Sequence, residues 1–214
     1  MTSAGRLSEE VFEELLLRGS EIWRDFTASR GGRFTLVIPA DQRDARAALE
    51  EQSACASSFL ELGSGAGVIT ILADLLGFDA YGIEIEPGLV EASQDLAEHL
   101  GSGATFVEGS FVPVEFRNEV ELLSGDFVTV SEGADAYDEL GLTLRDFDLV
   151  YGYPWPGEED WMVELVRREA GPDTSLMMYS VADGFQVTPA RAQQKARPGS
   201  KGADPFVRGM GKLS

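Results

Sequence analysis

Apolar residues change their spacing part-way along the chain. In the first 52 residues they recur at helical intervals: Val11, Phe12, Leu15, Leu16, Ile22, Trp23 and Phe26 follow Ser8, Glu9 and Glu10. That order, a capping hydroxyl and then two acids in the first turn, predicts one or two helices over 8–26. Gly31 and Gly32 interrupt the pattern, 33–39 reads as extended, and a second helix is predicted over 41–52 with Ala45, Ala47, Ala48 and Leu49 on it. From Ser57 onward short apolar runs at 57–62, 80–85, 104–108, 147–151 and 174–180 alternate with amphipathic segments predicted helical over 66–76, 88–100 and 158–170. Strand alternating with helix predicts an α/β fold, a doubly wound and mostly parallel sheet, because right-handed crossovers place the helices on both faces.

This pattern divides the 214 residues into a helical segment at 1–56 packing on the core, a core at 57–184, and a tail at 185–214. The stretch 112–146 is longer than a simple crossover and is expected to be an insertion, with a hairpin near Ser124-Gly125-Asp126 and a loop at 131–135. The last thirty residues are polar and rich in Gly and Pro. The sheet is therefore expected to end near Ala182 with a shortened C-terminal edge, followed by a flexible basic tail.

Charge sharpens the division. Residues 1–188 carry eleven arginines, no lysine and 36 acids, a net of −25, while the last 26 residues carry +5. Nucleic acids are held chiefly through phosphate neutralisation by Lys and Arg, so a body this acidic disfavours a nucleic-acid partner and suits a small molecule or a basic protein segment. Cys55 is the only cysteine, which rules out an intrachain disulfide and a zinc-thiolate cluster; no metal site is expected. With no long apolar run and no signal-like start, a cytoplasmic protein without a membrane span is expected.

The chemistry centres on Glu61-Leu62-Gly63-Ser64-Gly65-Ala66-Gly67, where the first core strand turns into a helix. Ligands of open parallel sheets bind at such turns, where glycine lets backbone approach them closely. A dinucleotide fingerprint, G-x-G-x-x-G, would need glycine at Val68; the spacing here is G-x-G-x-G. A second strand ends in Gly82-Ile83-Glu84-Ile85, and a carboxylate there can accept hydrogen bonds from both hydroxyls of a ribose. Glu86 shares its parity and is the competitor.

These two motifs resemble those of the class I S-adenosylmethionine-dependent methyltransferases, over roughly residues 57–184. The resemblance implies a Rossmann-like methyltransferase core with S-adenosylmethionine as cofactor. The turn Gly63, Ser64, Gly65 and Gly67 would lie against its methionine part, Glu61 would orient the turn or reach the amino group, and Glu84 with Ile85 would hold the ribose. Family members often carry an aspartate after the third strand to accept from the adenine amino group; Ser110 stands there, with Phe111 beside it as a flank for the ring.

Acceptor chemistry is expected after the fourth strand, at Tyr151-Gly152-Tyr153-Pro154-Trp155-Pro156-Gly157-Glu158. Amino-group methyltransferases often place Asn-Pro-Pro or Asp-Pro-Pro before an aromatic there; this loop lacks both the amide or acid and the second proline. Tyr151, Tyr153 and Trp155 would instead present ring faces to an amine, which Glu158 or Glu159 would hold or deprotonate. Tyr151 is also counted among the residues near the cofactor, and Tyr153, Trp155 and Glu158 are the catalytic set. Glu158 to Asp160 also stand where acids complement a helix dipole, and Asp148 and His99 read as structural. The expected function is methyl transfer to a small molecule or a protein side-chain amine. A non-catalytic module retaining the pocket and a nicotinamide-dependent oxidoreductase are the alternatives.

Overall fold

The computed structural model describes residues 7–30, 40–117, 129 and 132–190. Helix α1 (Glu9–Arg30) is one continuous helix, begun by the Ser8 hydroxyl accepting from the Val11 amide at 3.2 Å. Helix α2 (Gln42–Gln52) starts at Asp41, whose carboxylate accepts from the amides of Arg43 and Asp44. The predicted extended stretch at 33–39 and the hairpin near residue 125 lie outside the described residues.

The core follows as β1 (Ser58–Leu62), α3 (Val68–Leu76), β2 (Asp79–Glu84), α4 (Pro87–Leu100) and β3 (Thr105–Glu108). Then come a short α5 (Ala136–Leu140), β4 (Leu149–Gly152), α6 (Glu159–Glu169), β5 (Ser175–Ser180) and β6 (Gly184–Pro189). The strands form one sheet in the order β3-β2-β1-β4-β5-β6, parallel except for β6. Alternate residues of each strand feed opposite layers, as a pleated strand requires. Phe59, Leu149, Tyr151 and Met177 meet α1 to α4 on one face, whereas Leu60, Leu62, Val150 and Leu176 meet α5 and α6 on the other. Chain order reverses between β1 and β4, which opens the crevice where such sheets take ligands.

The C-terminal edge corrects the sequence reading. The sheet does not stop near Ala182, and the tail does not begin at 185: the chain turns through Val181, Ala182 and Asp183, and β6 returns antiparallel along the whole of β5. Gly184 enters that return at φ +70°, a conformation glycine adopts without strain. Phe185 and Val187 alternate with polar residues and pack on the α1–α2 face, so the strand is apolar on one side only. Two apolar residues in six were too few to stand out against the Gly and Pro around them. Residues 191–214 are outside the described set.

Asp148 and His99 have the structural roles expected of them. Asp148 accepts from the Ser57 amide and hydroxyl, both at 2.8 Å, and from the Ser58 amide, and these bonds hold its carboxyl below the usual range. His99, in the last turn of α4, bonds Glu14 of α1 through Nε2 at 2.8 Å.

Candidate active site

The loop between β1 and α3 is built on three left-handed glycines, Gly63, Gly65 and Gly67, at φ +80°, +54° and +74°. Side chains rarely tolerate that region, so the loop can be this tight only with glycine there. Gly67 meets a second demand: a Cβ on it would lie 2.7 Å from Ser93 Cβ and 2.8 Å from Phe106 Cζ. Gly82 makes the matching space on β2, since a Cβ there would stand 2.8 Å from that of Ser64. The Gly-hydrophobic-acid order in β2 therefore has a packing reason as well as a chemical one.

Two buried carboxyls hold the loop. Glu61 accepts from the amide and hydroxyl of Thr70, at 3.0 and 2.5 Å, and so ties the end of β1 to the first turn of α3. Burial pushes its pKa up to about 8 against the pull of those bonds. Glu84 accepts from Gly65 N at 2.8 Å through one oxygen and from Ile85 N and Glu86 N, at 2.8 and 3.0 Å, through the other. It thereby joins the glycine loop to the start of α4; burial raises its pKa too. The amides of Gly63 and Ser64 both donate to the Ile83 carbonyl, which closes the loop on β2. Among the described residues no Lys or Arg pairs with Glu61 or Glu84. Glu86 stands apart, as the N-cap of α4, and pairs with Arg30 at 2.6 Å.

Aromatic rings flank the loop. A Cβ on Gly65 would be 3.7 Å from Trp23 of α1, and one on Gly63 would be 3.7 Å from Phe111. Phe111 is half-buried and stacks on Trp161 of α6, with centroids 6.1 Å apart and planes 8° apart. The Tyr137 hydroxyl donates to its carbonyl at 2.9 Å. Ile85 is half-buried, and a Cβ on Gly133 of the insertion would lie 3.6 Å from its Cδ1.

Three expected roles meet a different environment. Ser110 is 1% exposed, and its hydroxyl accepts from the Val112 amide at 3.2 Å. Its backbone bonds Ala134 and Ala136, so it pins the insertion to β3 instead of offering an acceptor at the surface. Tyr151 is 2% exposed, with its ring between Phe59 and Phe185. It belongs to the core and presents no face to a ligand. Glu158 is 4% exposed, and its carboxylate accepts from the amide of Thr129 at 3.1 Å and from the Thr129 hydroxyl. That bond fastens the insertion to the start of α6, which is not the arrangement of a free base.

Tyr153 and Trp155 remain half-buried beyond β4. The ring of Tyr153 stands perpendicular to Tyr179 at 5.1 Å, and Tyr179 lies 4.9 Å from Phe185. Sequence reasoning missed Trp23, Trp161, Tyr179 and Phe185. The signal for Tyr179 was its place at the end of an apolar run; Trp23 read as one of the apolar positions of the first helix, and Trp161 lies in the segment predicted helical over 158–170.

No protein-family model and no curated protein sequence matches the chain. Solved structures do. An O-methyltransferase from Bacillus cereus in complex with SAH is similar over 83% of this chain and 69% of its own, at a TM-score of 0.50 and 12% identity. The two share a fold. An RNA methyltransferase from Salinibacter ruber, in complex with S-adenosyl-L-homocysteine, gives a TM-score of 0.46 at 18% identity, over 66% of this chain and 76% of its own. A Pyrococcus horikoshii protein gives 0.45 at 18% identity over 64% of this chain, and the chain spans 55% of that protein's length. The α/β fold with a mostly parallel sheet, expected from the alternation of strands and helices, is the fold of this chain and is shared with that O-methyltransferase.

The residues at the loop also fit an S-adenosylmethionine cofactor. The Ser64 hydroxyl is buried in the loop and has no hydrogen-bond partner among the described residues. Two buried acids face no described counter-cation, as a ligand carrying an ammonium group and ribose hydroxyls would require. No described helix is long and apolar enough to cross a membrane.

Proposed function

We propose that the chain is an S-adenosylmethionine-dependent methyltransferase acting on a small molecule or a protein side-chain amine. The observation that carries this reading is the left-handed triple-glycine loop at the β1–β4 crevice, stapled to β2 by Glu84. Glu84 has a carboxylate where ribose hydroxyls would sit, and it reaches them by exchanging loop amides for hydroxyl donors of similar strength. Glu61 lies one step inward on β1; the ammonium of a methionine moiety would supply the positive charge that its buried carboxyl lacks. Trp23 and Phe111 would close the two sides of the loop over the ligand.

When bound, the cofactor supplies a methyl group on a sulfonium, already activated for displacement. The protein's work is then to position a nucleophile in line with that carbon and to exclude competing water. A protonated amine would first have to release a proton to solvent, so that its nitrogen lone pair is free to take the methyl group the cofactor would supply. Tyr153 and Trp155, half-buried just beyond β4, would line the acceptor's side of the site. The acidic body favours a neutral or cationic acceptor over a nucleic acid.

Calorimetric titration with S-adenosylhomocysteine and with NAD tests the cofactor. We expect a Kd on the order of micromolar for the first and no heat for the second. Glu84→Ala should weaken the first by more than about tenfold, because it removes a charged acceptor. Binding of NAD without S-adenosylhomocysteine would overturn the reading. Transfer of labelled methyl groups to fractions of a cell lysate then separates an enzyme from a silent module.

A further inference from the structure

Register places a level row of residues across four strands. Glu61 pairs with Tyr151, Tyr151 with Met177, and Met177 with Val187. Two residues nearer the rim the row becomes Gly63, Tyr153, Tyr179 and Phe185, of which the last two are a register pair. Residues two apart share a face, so Tyr153, Tyr179 and Phe185 stand side by side above Tyr151, Met177 and Val187 on the α1 face. The row begins one strand from the glycine loop, a step of about 4.8 Å.

Ring geometry and exposure separate this row from the one beneath it. Tyr151 is enclosed, whereas Tyr153, Tyr179 and Phe185 are each half-buried. The perpendicular Tyr153 and Tyr179 rings make a right-angled corner, and Phe185 extends it at 49° to Tyr179. The turn that joins Tyr179 to Phe185 carries one charged residue, Asp183, whose amide donates to the Ser180 hydroxyl at 3.0 Å, and no Lys or Arg lies in 151–157 or 179–187. A cation would find ring faces and an acid close by.

We propose that Tyr153, Tyr179 and Phe185 form the acceptor platform of the methyl-transfer site and that it binds an alkylammonium group. This rests on the methyltransferase reading for its purpose. Tyr179 and Phe185 are the specificity-determining members, brought level by the β5–β6 register. Burial raises the Tyr153 phenol above its ordinary value, so it stays uncharged at neutral pH and its ring remains a neutral π face.

Choline and its uncharged isostere 3,3-dimethylbutan-1-ol serve as probes, titrated by calorimetry into the full chain saturated with S-adenosylhomocysteine. Binding of S-adenosylhomocysteine itself is measured separately. Choline is expected to bind at least about tenfold more tightly than the isostere, the preference one to two ring faces confer on a cation. Tyr153→Leu and Tyr179→Leu should each cost choline about tenfold, Tyr179→Phe should keep its affinity, and all three should leave S-adenosylhomocysteine affinity within about threefold. Equal binding of the two probes, no binding of choline, or choline affinity unchanged in both leucine variants overturns the platform. The comparison of probes on the unaltered chain needs no variant to fold. If S-adenosylhomocysteine fails to bind while the choline pattern holds, the cofactor reading falls and the cation site stands.

Discussion

The two halves of the sheet handle chemistry by different means. On the β2–β1 side, backbone amides and two buried carboxyls shape a loop whose every glycine is fixed by its φ or by close packing. On the β4–β5–β6 side the rim row is made of side-chain rings: Tyr153, just beyond β4, meets Tyr179 edge to face, and Tyr179 lies tilted against Phe185. The loop is held by backbone conformation and by hydrogen bonds to buried carboxyls, the ring corner by packing on top of the strand ladder. A site built this way can keep one ligand constant and vary the other, since ring substitutions on β5 and β6 leave the loop untouched.

The sharpest way to break this contrast is to put a methyl group on a glycine of each half. Gly67→Ala forces a side chain into the left-handed region and against Ser93 and Phe106 at under 3 Å. Together these cost about 3 kcal/mol, and the melting temperature should fall by roughly 8 °C. Gly184→Ala suffers only the first penalty, because nothing lies within 4 Å of its Cβ. About 1 kcal/mol is expected there. Equal losses in thermal melts would show that the loop is no more constrained than the β5–β6 turn.

A smaller effect probes the buried acids. Glu61 titrates near its ordinary 4.5 in the unfolded chain and at about 8 when folded. Between those values the folded chain holds a proton that the unfolded chain has released, so the group's contribution is full below pH 4.5 and declines as pH rises toward 8. Glu61→Gln removes that slope. The gap in melting temperature between the variant and the parent should therefore move in the variant's favour, by a few degrees, from pH 5 to pH 9. A gap that stays constant over this range would mean that Glu61 is ionised in the folded protein.

The same division decides what could be read from the sequence. The loop was legible because its parts are neighbours in the chain: Glu61 to Gly67 are contiguous, and Glu84 follows at the end of the very next strand. Local order there is the structure. The aromatic row was not legible, because Tyr153, Tyr179 and Phe185 become level only through the β4–β5 and β5–β6 registers. Tyr151 was misplaced for a related reason: it is two residues from Tyr153 and on the same face, yet one rung lower, where Phe59 and Phe185 enclose it. Glu158 looked like a base until Thr129, 29 residues earlier, turned out to engage it. Burial and long-range pairing, not residue type, separated these roles.

The smallest effect concerns how α1 is held over the glycine loop. Arg30 bonds Glu86 at 2.6 Å across 56 residues of chain, and the pair sits at the end of the helix that carries Trp23. The Arg30 side chain is 55% exposed, however, so solvent and salt screen most of the attraction. Its loss should cost no more than about 0.5 kcal/mol. Tight packing is the stronger restraint: a Cβ on Gly19 would lie 2.2 Å from Val68 Cγ2, at the first residue of α3, so the helix rests almost directly on the loop's exit. Arg30→Ala should therefore leave melting within about 2 °C of the parent, whereas Gly19→Ala should lower it by several degrees and weaken S-adenosylhomocysteine binding with it. A large loss from Arg30→Ala, abolished at high salt, would mean that an exposed ion pair holds this side of the site in place of close packing.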